Sequence, residues 1–352
     1  MYQLDLNSLC CRGCEIEYKV RQSKGEVLVG EDDEDEILTE EMLWDRIPEV
    51  QGEERASTYY ELSARVYARG QYDEALALAE TACDIYAELG ETAPTEGLAQ
   101  AYSAIGYNLN QLKRMGEAAT AMSKAVELLR KNKSPIALEL ACTLGEWWYS
   151  SKNYEQVITT MEECAQEHLV DGNELGAASD LHLIGSAYRK IGKYELAAES
   201  YLEARALYKR NREVIHVARC DQKLAACYVE LGQGELAQER ARKAMDVFQT
   251  AHEHERQNFA FFELGKAQVL LENFEESLNT LEQVLQVATE ESEEVVGDCD
   301  FGPSEGVGRI EELRVGMKTE LAGNLRIREK RGKCLWESIG HCVYVTEFKS
   351  PV

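Results

Sequence analysis

The chain has 352 residues, of which 44% are hydrophobic and 29% are charged, so its composition excludes a disordered chain and allows one extended repeat domain or two ordinary domains. A formal net charge of −26 argues against nucleic acid or an anionic membrane as the main ligand, because like charges repel. The N-terminus lacks the apolar core of a secretory signal and no window of about 18 residues is apolar throughout, so we expect a cytoplasmic protein without a membrane segment.

Residues 1–55 form the first predicted segment. Within residues 1–30, the stretches EIEYKV and EVLVG flank QSKG, and their alternating or β-branched residues are typical of a β-hairpin. The acidic run EDDEDE at 31–36 is predicted to be a solvated linker. The next stretch, ILTEEMLWDRI, has the spacing of an amphipathic helix, and we expect it to cap the segment that follows.

A motif of small, apolar and aromatic residues recurs six times within residues 56–290. Small residues allow two paired helices to approach closely, and the aromatic residues fill the space between one pair and the next. No pair can therefore bury its apolar face alone. The third copy comprises Ala141, Leu144, Gly145, Trp148, Tyr154, Val157, Met161 and Cys164, and the fourth comprises Leu181, Ile184, Gly185, Tyr188, Gly192, Tyr194, Ala197, Tyr201 and Ala204.

The motif resembles that of the tetratricopeptide repeat (TPR) family. Equivalent residues such as Ala141, Leu181, Asp221 and Phe261 are 40 positions apart, against about 34 in the common TPR unit, so we expect longer helices. The resemblance implies an all-α fold, a right-handed α-solenoid of about six TPR-like helix pairs, to which small β-containing N- and C-terminal extensions are added. The solenoid is expected over residues 56–290.

The resemblance also implies a concave groove that binds a partner protein or peptide. Carrying the groove positions of the family over to this sequence gives a stripe of tyrosines followed by a group of basic residues, which would offer aromatic platforms and then a cationic patch. The predicted groove residues are Tyr60, Tyr67, Tyr107, Asn110, Glu146, Tyr149, His182, Arg189, Lys190, Arg219, Gln222, Phe262 and Lys266.

Two more specific activities of the groove are unsupported. The two-carboxylate clamp of chaperone-binding TPR domains needs Lys and Asn where this chain has Tyr60 and Ala64, so we reject a co-chaperone function. His182 has no Cys or carboxylate at a spacing of four residues on its helix face that would complete a metal or catalytic site. We interpret it as a groove or surface histidine.

The cysteines fall into two groups. Cys11, Cys14, Cys334 and Cys342 could hold a tetrahedral zinc ion that joins the two termini, although a single C-x-x-C is a weak signal and no other cofactor is expected. The cysteines inside the helical patterns are predicted to be reduced thiols that pack as small apolar groups. They are Cys83, Cys142, Cys164, Cys220 and Cys227.

The C-terminal part departs from the repeat. Residues 291–308 are predicted to be a flexible linker, and residues 309–352 a small segment that contains two strands. Five of the basic residues in this segment are concentrated at positions 326–333, and in so acidic a chain we expect them to face acidic protein segments rather than nucleic acid. They are Arg326, Arg328, Lys330, Arg331 and Lys333.

No phosphate-binding loop, nucleophile elbow or zinc-protease motif occurs, so we predict a protein that is not an enzyme. The favoured function is an interaction scaffold or adaptor whose groove binds a segment of a partner protein. The alternative is a regulatory sensor or inhibitor that binds a peptide or an effector enzyme and changes the shape of its solenoid.

Overall fold

The structure, a computed structural model, describes residues 39–280, and this part of the chain is helical with short connecting turns. The predicted all-α fold is therefore confirmed for these residues, which include no strand. The helices are α1 (Glu40–Arg46), α2 (Gly52–Ala68), α3 (Tyr72–Leu89), α4 (Thr95–Gln111), α5 (Met115–Lys131), α6 (Ala137–Ser150), α7 (Tyr154–Val170), α8 (Glu174–Lys190), α9 (Tyr194–Arg210), α10 (Val214–Glu230), α11 (Gly234–Thr250) and α12 (His254–Leu270), with a 3₁₀ turn at Gly90–Thr92 and a further helical stretch at 274–280.

Several predicted segments lie outside the described residues. They are the β-hairpin of residues 1–30, the acidic run of 31–36, the linker of 291–308 and the β-containing segment of 309–352. The capping helix does lie inside them, as α1. Its Leu43 is fully buried in a cluster with Leu62 and Val66 of α2, so α1 packs on the first helix of the repeat segment.

The described residues belong to two compact units that divide between Ala187 and Tyr188, within α8. In the first unit α2 packs on α3, α4 on α5 and α6 on α7, and each pair contacts the next. In the second unit α9 packs on α10, α10 on α11 and α11 on α12. Both units therefore consist of antiparallel helix neighbours, as the repeat predicts. No helix in the described range is both long and apolar enough to cross a membrane.

Small residues set the distance between paired helices. Ser63 of α2 is fully buried, and its hydroxyl donates a 2.7 Å hydrogen bond to the carbonyl of Ala75 on α3. At the corresponding place in α6, a Cβ added to Gly145 would lie 2.7 Å from the Sδ atom of Met161 on α7 and closer still to its Cε. Larger side chains at these positions would separate the helices of a pair.

The turns that follow α2 and α4 to α12 share one hydrogen-bond pattern. After α8, the amide of Lys193 donates to the carbonyl of Tyr188 and the amide of Gly192 to that of Arg189. This is the Schellman arrangement, in which one residue adopts a left-handed conformation. That residue is Gly192 here, with a φ of 76°, but it is Lys152 after α6, with a φ of 63°. The predicted turns RKIGKY and SKNY are confirmed as turns.

The left-handed turn yields a stability prediction. Gly192→Ala places a Cβ in an unfavourable conformation and should lower the free energy of unfolding by about 1 kcal/mol. The matched control is Gly116→Ala, since Gly116 is exposed in the first turn of α5 and a Cβ there meets open space. The control should raise the free energy by about 0.5 kcal/mol. Urea unfolding measures both, and an unchanged Gly192→Ala protein would contradict the account.

Asp221 of α10 joins three helices of the second unit. Its side chain is buried, and its Oδ1 accepts hydrogen bonds from Arg205 Nε of α9 at 2.8 Å and from an Arg240 guanidinium nitrogen of α11 at 2.9 Å. The equivalent positions of other repeats hold apolar residues, such as Leu181 and Phe261. The carboxylate is stable here because two cations from neighbouring helices compensate its charge.

Removing this carboxylate should destabilise the second unit. Asp221→Ala leaves Arg205 and Arg240 close together without their shared anion, and both side chains are only about one fifth exposed. We expect a loss of about 2–3 kcal/mol in the free energy of unfolding, measured by urea. Glu239→Ala, which removes the acid of an exposed pair with Lys243, should leave that free energy nearly unchanged. Equal losses in the two variants would show that Asp221 has no special structural part.

Candidate peptide-binding groove

The predicted groove residues all lie on the first helices of the pairs, and each is half-buried or buried. Those of the first unit are Tyr60 and Tyr67 on α2, Tyr107 and Asn110 on α4, Glu146 and Tyr149 on α6, and His182 on α8. Those of the second unit are Arg189 and Lys190 on α8, Arg219 and Gln222 on α10, and Phe262 and Lys266 on α12. Side chains that line a groove are expected to be partly buried, as these are.

We call Tyr60, Tyr67, Tyr107 and Tyr149 the tyrosine wall. Tyr67 is held from two sides. Its ring packs edge-to-face on Tyr72, with the ring centroids 5.3 Å apart, and its hydroxyl accepts a 3.0 Å hydrogen bond from Gln111 Nε2 of α4. The Tyr67 side chain therefore has one preferred position before any partner arrives.

Tyr107 lies between α4 and α6. Its ring packs edge-to-face on Trp147, with centroids 5.3 Å apart, and its hydroxyl makes a hydrogen bond with Thr143. Burial raises the pKa of Tyr107 well above its usual value, and the charge of Glu139 raises it further. The hydroxyl thus stays protonated and neutral.

The remaining wall tyrosines, Tyr60 and Tyr149, are also half-buried. Burial raises the pKa of Tyr60, and the nearby Glu61 adds to this effect. The Tyr149 ring packs edge-to-face on Tyr154 of α7, with centroids 5.5 Å apart. Tyr60, Tyr67 and Tyr107 are close enough that the charge of one would affect the pKa of another. The structure therefore brings these three together in the first unit.

Lys266, one of the predicted basic groove residues of the second unit, has acidic neighbours. Lys266 Nζ lies 3.0 Å from Glu263 Oε2 and 3.9 Å from Glu230 Oε1, and it also sits 5.3 Å from the centre of the Phe262 ring. The charge of Lys266 is thus largely compensated inside the protein. The predicted cationic patch is weaker at this end than the basic residues alone would suggest.

Two predicted groove residues present little surface. His182 is 7% exposed and Gln222 is 8% exposed, whereas the wall tyrosines are half-buried. A side chain that is almost covered by its own protein contributes little contact area to a partner. The predicted zinc ligands Cys11, Cys14, Cys334 and Cys342 lie outside the described residues, so that site stays a prediction.

The supporting residues Tyr72, Tyr154, Gln111 and Trp147 were not predicted as part of the groove. A signal for two of them exists in the sequence, because Tyr67 and Tyr149 are each followed five residues later by a second tyrosine, across the turn to the next helix. Gln111 and Trp147 had no such signal. Their contacts depend on how α4 packs against α2 and α6.

Comparison with known proteins agrees with the helix pairs. A tetratricopeptide repeat model matches residues 99–132 and 181–209. The outer dynein arm-docking complex subunit 4 of Homo sapiens is 25% identical in an alignment of 252 residues that covers 65% of this chain and 35% of that protein. The chain therefore spans about a third of the length of this relative.

Two solved structures share the fold. One is a signal-transduction ATPase with a tetratricopeptide repeat sensor from Pyrococcus horikoshii, with a TM-score of 0.55 and 17% identity over 81% of this chain and 41% of that one. The other is the apo form of RapI, with a TM-score of 0.53 and 12% identity over 81% of each chain. Identities this low establish the fold alone. Together with the repeated helix pairs, their shared turns and the model that matches residues 99–132 and 181–209, they show that the described residues have the fold of tetratricopeptide repeats, with equivalent residues about 40 positions apart.

Proposed function

We propose that this chain is an interaction scaffold whose tyrosine wall binds a segment of a partner protein. TPR arrays are protein-interaction scaffolds in general, and the wall is the feature of this chain that makes the proposal specific. The observation that carries it is the fixing of the wall rings by edge-to-face contacts with Tyr72, Trp147 and Tyr154.

Pre-organised tyrosines suit peptide recognition for a physical reason. A tyrosine offers a large apolar ring and a hydroxyl that donates and accepts hydrogen bonds, and such residues dominate the binding energy of many interfaces. Because Tyr67 and Tyr107 are already held by hydrogen bonds with Gln111 and Thr143, little side-chain entropy remains to be lost on binding.

The negative charge of the protein limits which partner segments can bind to the wall. The wall hydroxyls are neutral, while Glu139 lies near Tyr107 and the chain as a whole carries a net charge of −26. An acidic segment would be repelled, so the partner segment is neutral or basic and presents apolar side chains to the rings.

The curated relative supports a docking role. It is named as a subunit of a docking complex, and 65% of this chain aligns with it. Since the alignment covers 35% of that protein, its assembly and partners enter here only as part of the proposal. We infer that this chain, too, joins other proteins and catalyses no reaction.

The buried cysteines bear on the cellular location of the protein. The thiols of Cys83, Cys164, Cys220 and Cys227 pack as small buried groups, which fits the proposed cytoplasmic location.

The regulatory sensor or inhibitor stays a prediction, because no feature of residues 39–280 favours it over the scaffold.

The tyrosine wall can be tested with two matched double variants. Tyr67→Ala with Tyr149→Ala removes two wall rings, whereas Tyr72→Ala with Tyr154→Ala removes the rings that pack against them from the second helices. Both variants break the same two aromatic contacts, so their loss of stability should be similar. The wall variant should lose partner binding by about 30-fold or more, since each anchor contributes about 1 kcal/mol or more. The variant that lacks the supporting rings keeps both anchors and loses only their pre-organisation, so its affinity should fall by only about 3-fold.

The measurement has two stages. Tagged full-length protein is first used to capture partners from the cells that produce it, and the affinity of the purified partner is then measured for wild type and both variants. Unchanged affinity in the wall variant, or equal losses in the two variants, would remove the tyrosine wall from the proposal.

A further inference from the structure

At one junction between repeats among the described helices, a histidine occupies a position that holds an aromatic residue or leucine at the corresponding junctions. Near the end of α3, α5, α9 and α11 the same position holds a large buried residue, whereas in α7 it holds His168. The corresponding residues are Tyr86, Leu129, Tyr208 and Phe248.

The residue of the next helix that packs against this position also differs from its equivalents in other repeats. Tyr86 belongs to one buried cluster with Ala101 of α4, and Phe248 belongs to one with Ala260 of α12. The position equivalent to Ala101 and Ala260 in α8 holds Asp180. An apolar contact between aromatic and alanine has thus been replaced by a histidine and an aspartate at the junction of α7 and α8.

The two residues form a buried pair next to a thiol. His168 Nδ1 lies 2.7 Å from Asp180 Oδ2, and the two residues are 7% and 5% exposed. Cys142 of α6 is half-buried, and its Sγ lies 4.0 Å from Asp180 Oδ1. The three potential ligand atoms are all within 4.8 Å of one another.

Packing does not account for this arrangement. Replacing a buried ion pair with apolar residues of similar volume is often neutral or stabilising, and the neighbouring repeats use such residues. Burial raises the pKa of the Asp180 carboxyl and outweighs the lowering that His168 provides.

The order of the groups argues against nucleophilic catalysis. In a catalytic triad the imidazole lies between the nucleophile and the carboxylate, so that it can accept the proton of the nucleophile. Here the carboxylate of Asp180 lies between the Cys142 thiol and the His168 imidazole. This order does not place the imidazole to activate the thiol, whereas three converging ligands suit a cation.

We propose that Cys142, His168 and Asp180 bind a divalent transition-metal ion, with Zn²⁺ as the best match. Thiolate, imidazole and carboxylate are the ligand types of zinc, at about 2.3 Å for sulfur and about 2.0–2.2 Å for nitrogen and oxygen. Tetrahedral coordination at these lengths separates the ligand atoms by about 3.3–3.7 Å. The sulfur and the carboxylate need to approach by about half an ångström, and the hydrogen-bonded pair needs to open by a similar amount.

Such a site would connect α6, α7 and α8 within the first unit. On binding, the thiol proton of Cys142 and any proton shared by His168 and Asp180 are released to solvent, because the ligands bind as thiolate, neutral imidazole and carboxylate. With three protein ligands, the fourth position is filled by water or by a side chain of a partner. The half-buried Cys142 provides the side from which the ion enters.

The test uses the full-length chain in a background that removes competing thiols. Zn²⁺ binding is followed by calorimetry and Co²⁺ binding by its absorption spectrum. We expect one equivalent of either ion, with the thiolate charge-transfer band and the strong visible bands of tetrahedral cobalt. The cysteines replaced by serine in this background are Cys10, Cys11, Cys14, Cys299, Cys334 and Cys342.

Three variants in this background separate a metal site from a merely structural cluster. Cys142→Ala should abolish the charge-transfer band and weaken binding by about 100-fold or more. The double variant His168→Tyr with Asp180→Ala recreates the contact of Tyr86 and Ala101. It should fold with an unchanged or higher Tm, bind no metal and gain no thermal stability from Zn²⁺. Cys83→Ala, which removes a buried thiol whose pKa burial raises to about 12, is the control and should bind as the background does.

The proposal is overturned if the background protein binds neither ion at about 100 µM, which is far above the Kd of zinc sites in proteins. It is equally overturned if Cys142→Ala and the double variant bind as tightly as the background. Binding by the wild-type chain that disappears together with the terminal cysteines would place the metal at the termini instead.

Discussion

The close approach of neighbouring helices at buried small residues is the constraint on which the rest of this structure depends. Alanines such as Ala79, Ala118 and Ala197 are fully buried in the faces between helices, and Ser63 adds a hydrogen bond across one pair. The helices α4, α5 and α7 to α12 all have 17 residues. The turns that follow them therefore occupy equivalent positions in the repeat and can use the same left-handed cap. Even lysine and arginine accept that conformation, since packing on both sides of the turn outweighs a local cost of about 1 kcal/mol.

The tyrosine wall is a product of the same packing. In each pair the second helix covers one side of the first, and the side chains on the remaining side stay half-buried. Tyr72 and Tyr154, at the starts of second helices, support Tyr67 and Tyr149 by edge-to-face contact. The elements that build the core therefore also hold the rings in a position suited to binding. A scaffold of this kind recognises a partner with little reorganisation of its own.

Two buried aspartates depart from the residue pattern of the repeat. Asp221 and Asp180 both replace apolar residues inside the array, but their surroundings differ. Asp221 accepts hydrogen bonds from two arginines of neighbouring helices, so its charge is compensated within the protein. Asp180 has the imidazole of His168 and the thiol of Cys142 beside it. This contrast identifies one buried acid as a structural link and supports the proposal that the other is a metal ligand.

By itself the sequence determined the helix pairs, the capping helix, the turns and the placement of groove residues on first helices. Each of these follows from periodicity within one helix or one turn, as with Gly192 and Leu43. Only the tertiary structure decided which side chains meet: Tyr67 with Gln111, Lys266 with Glu230, and Cys142 with His168 and Asp180. The physical reason is that spacing along a helix sets the face on which a residue lies, whereas contacts between residues far apart in sequence depend on helix crossing angles and side-chain rotamers.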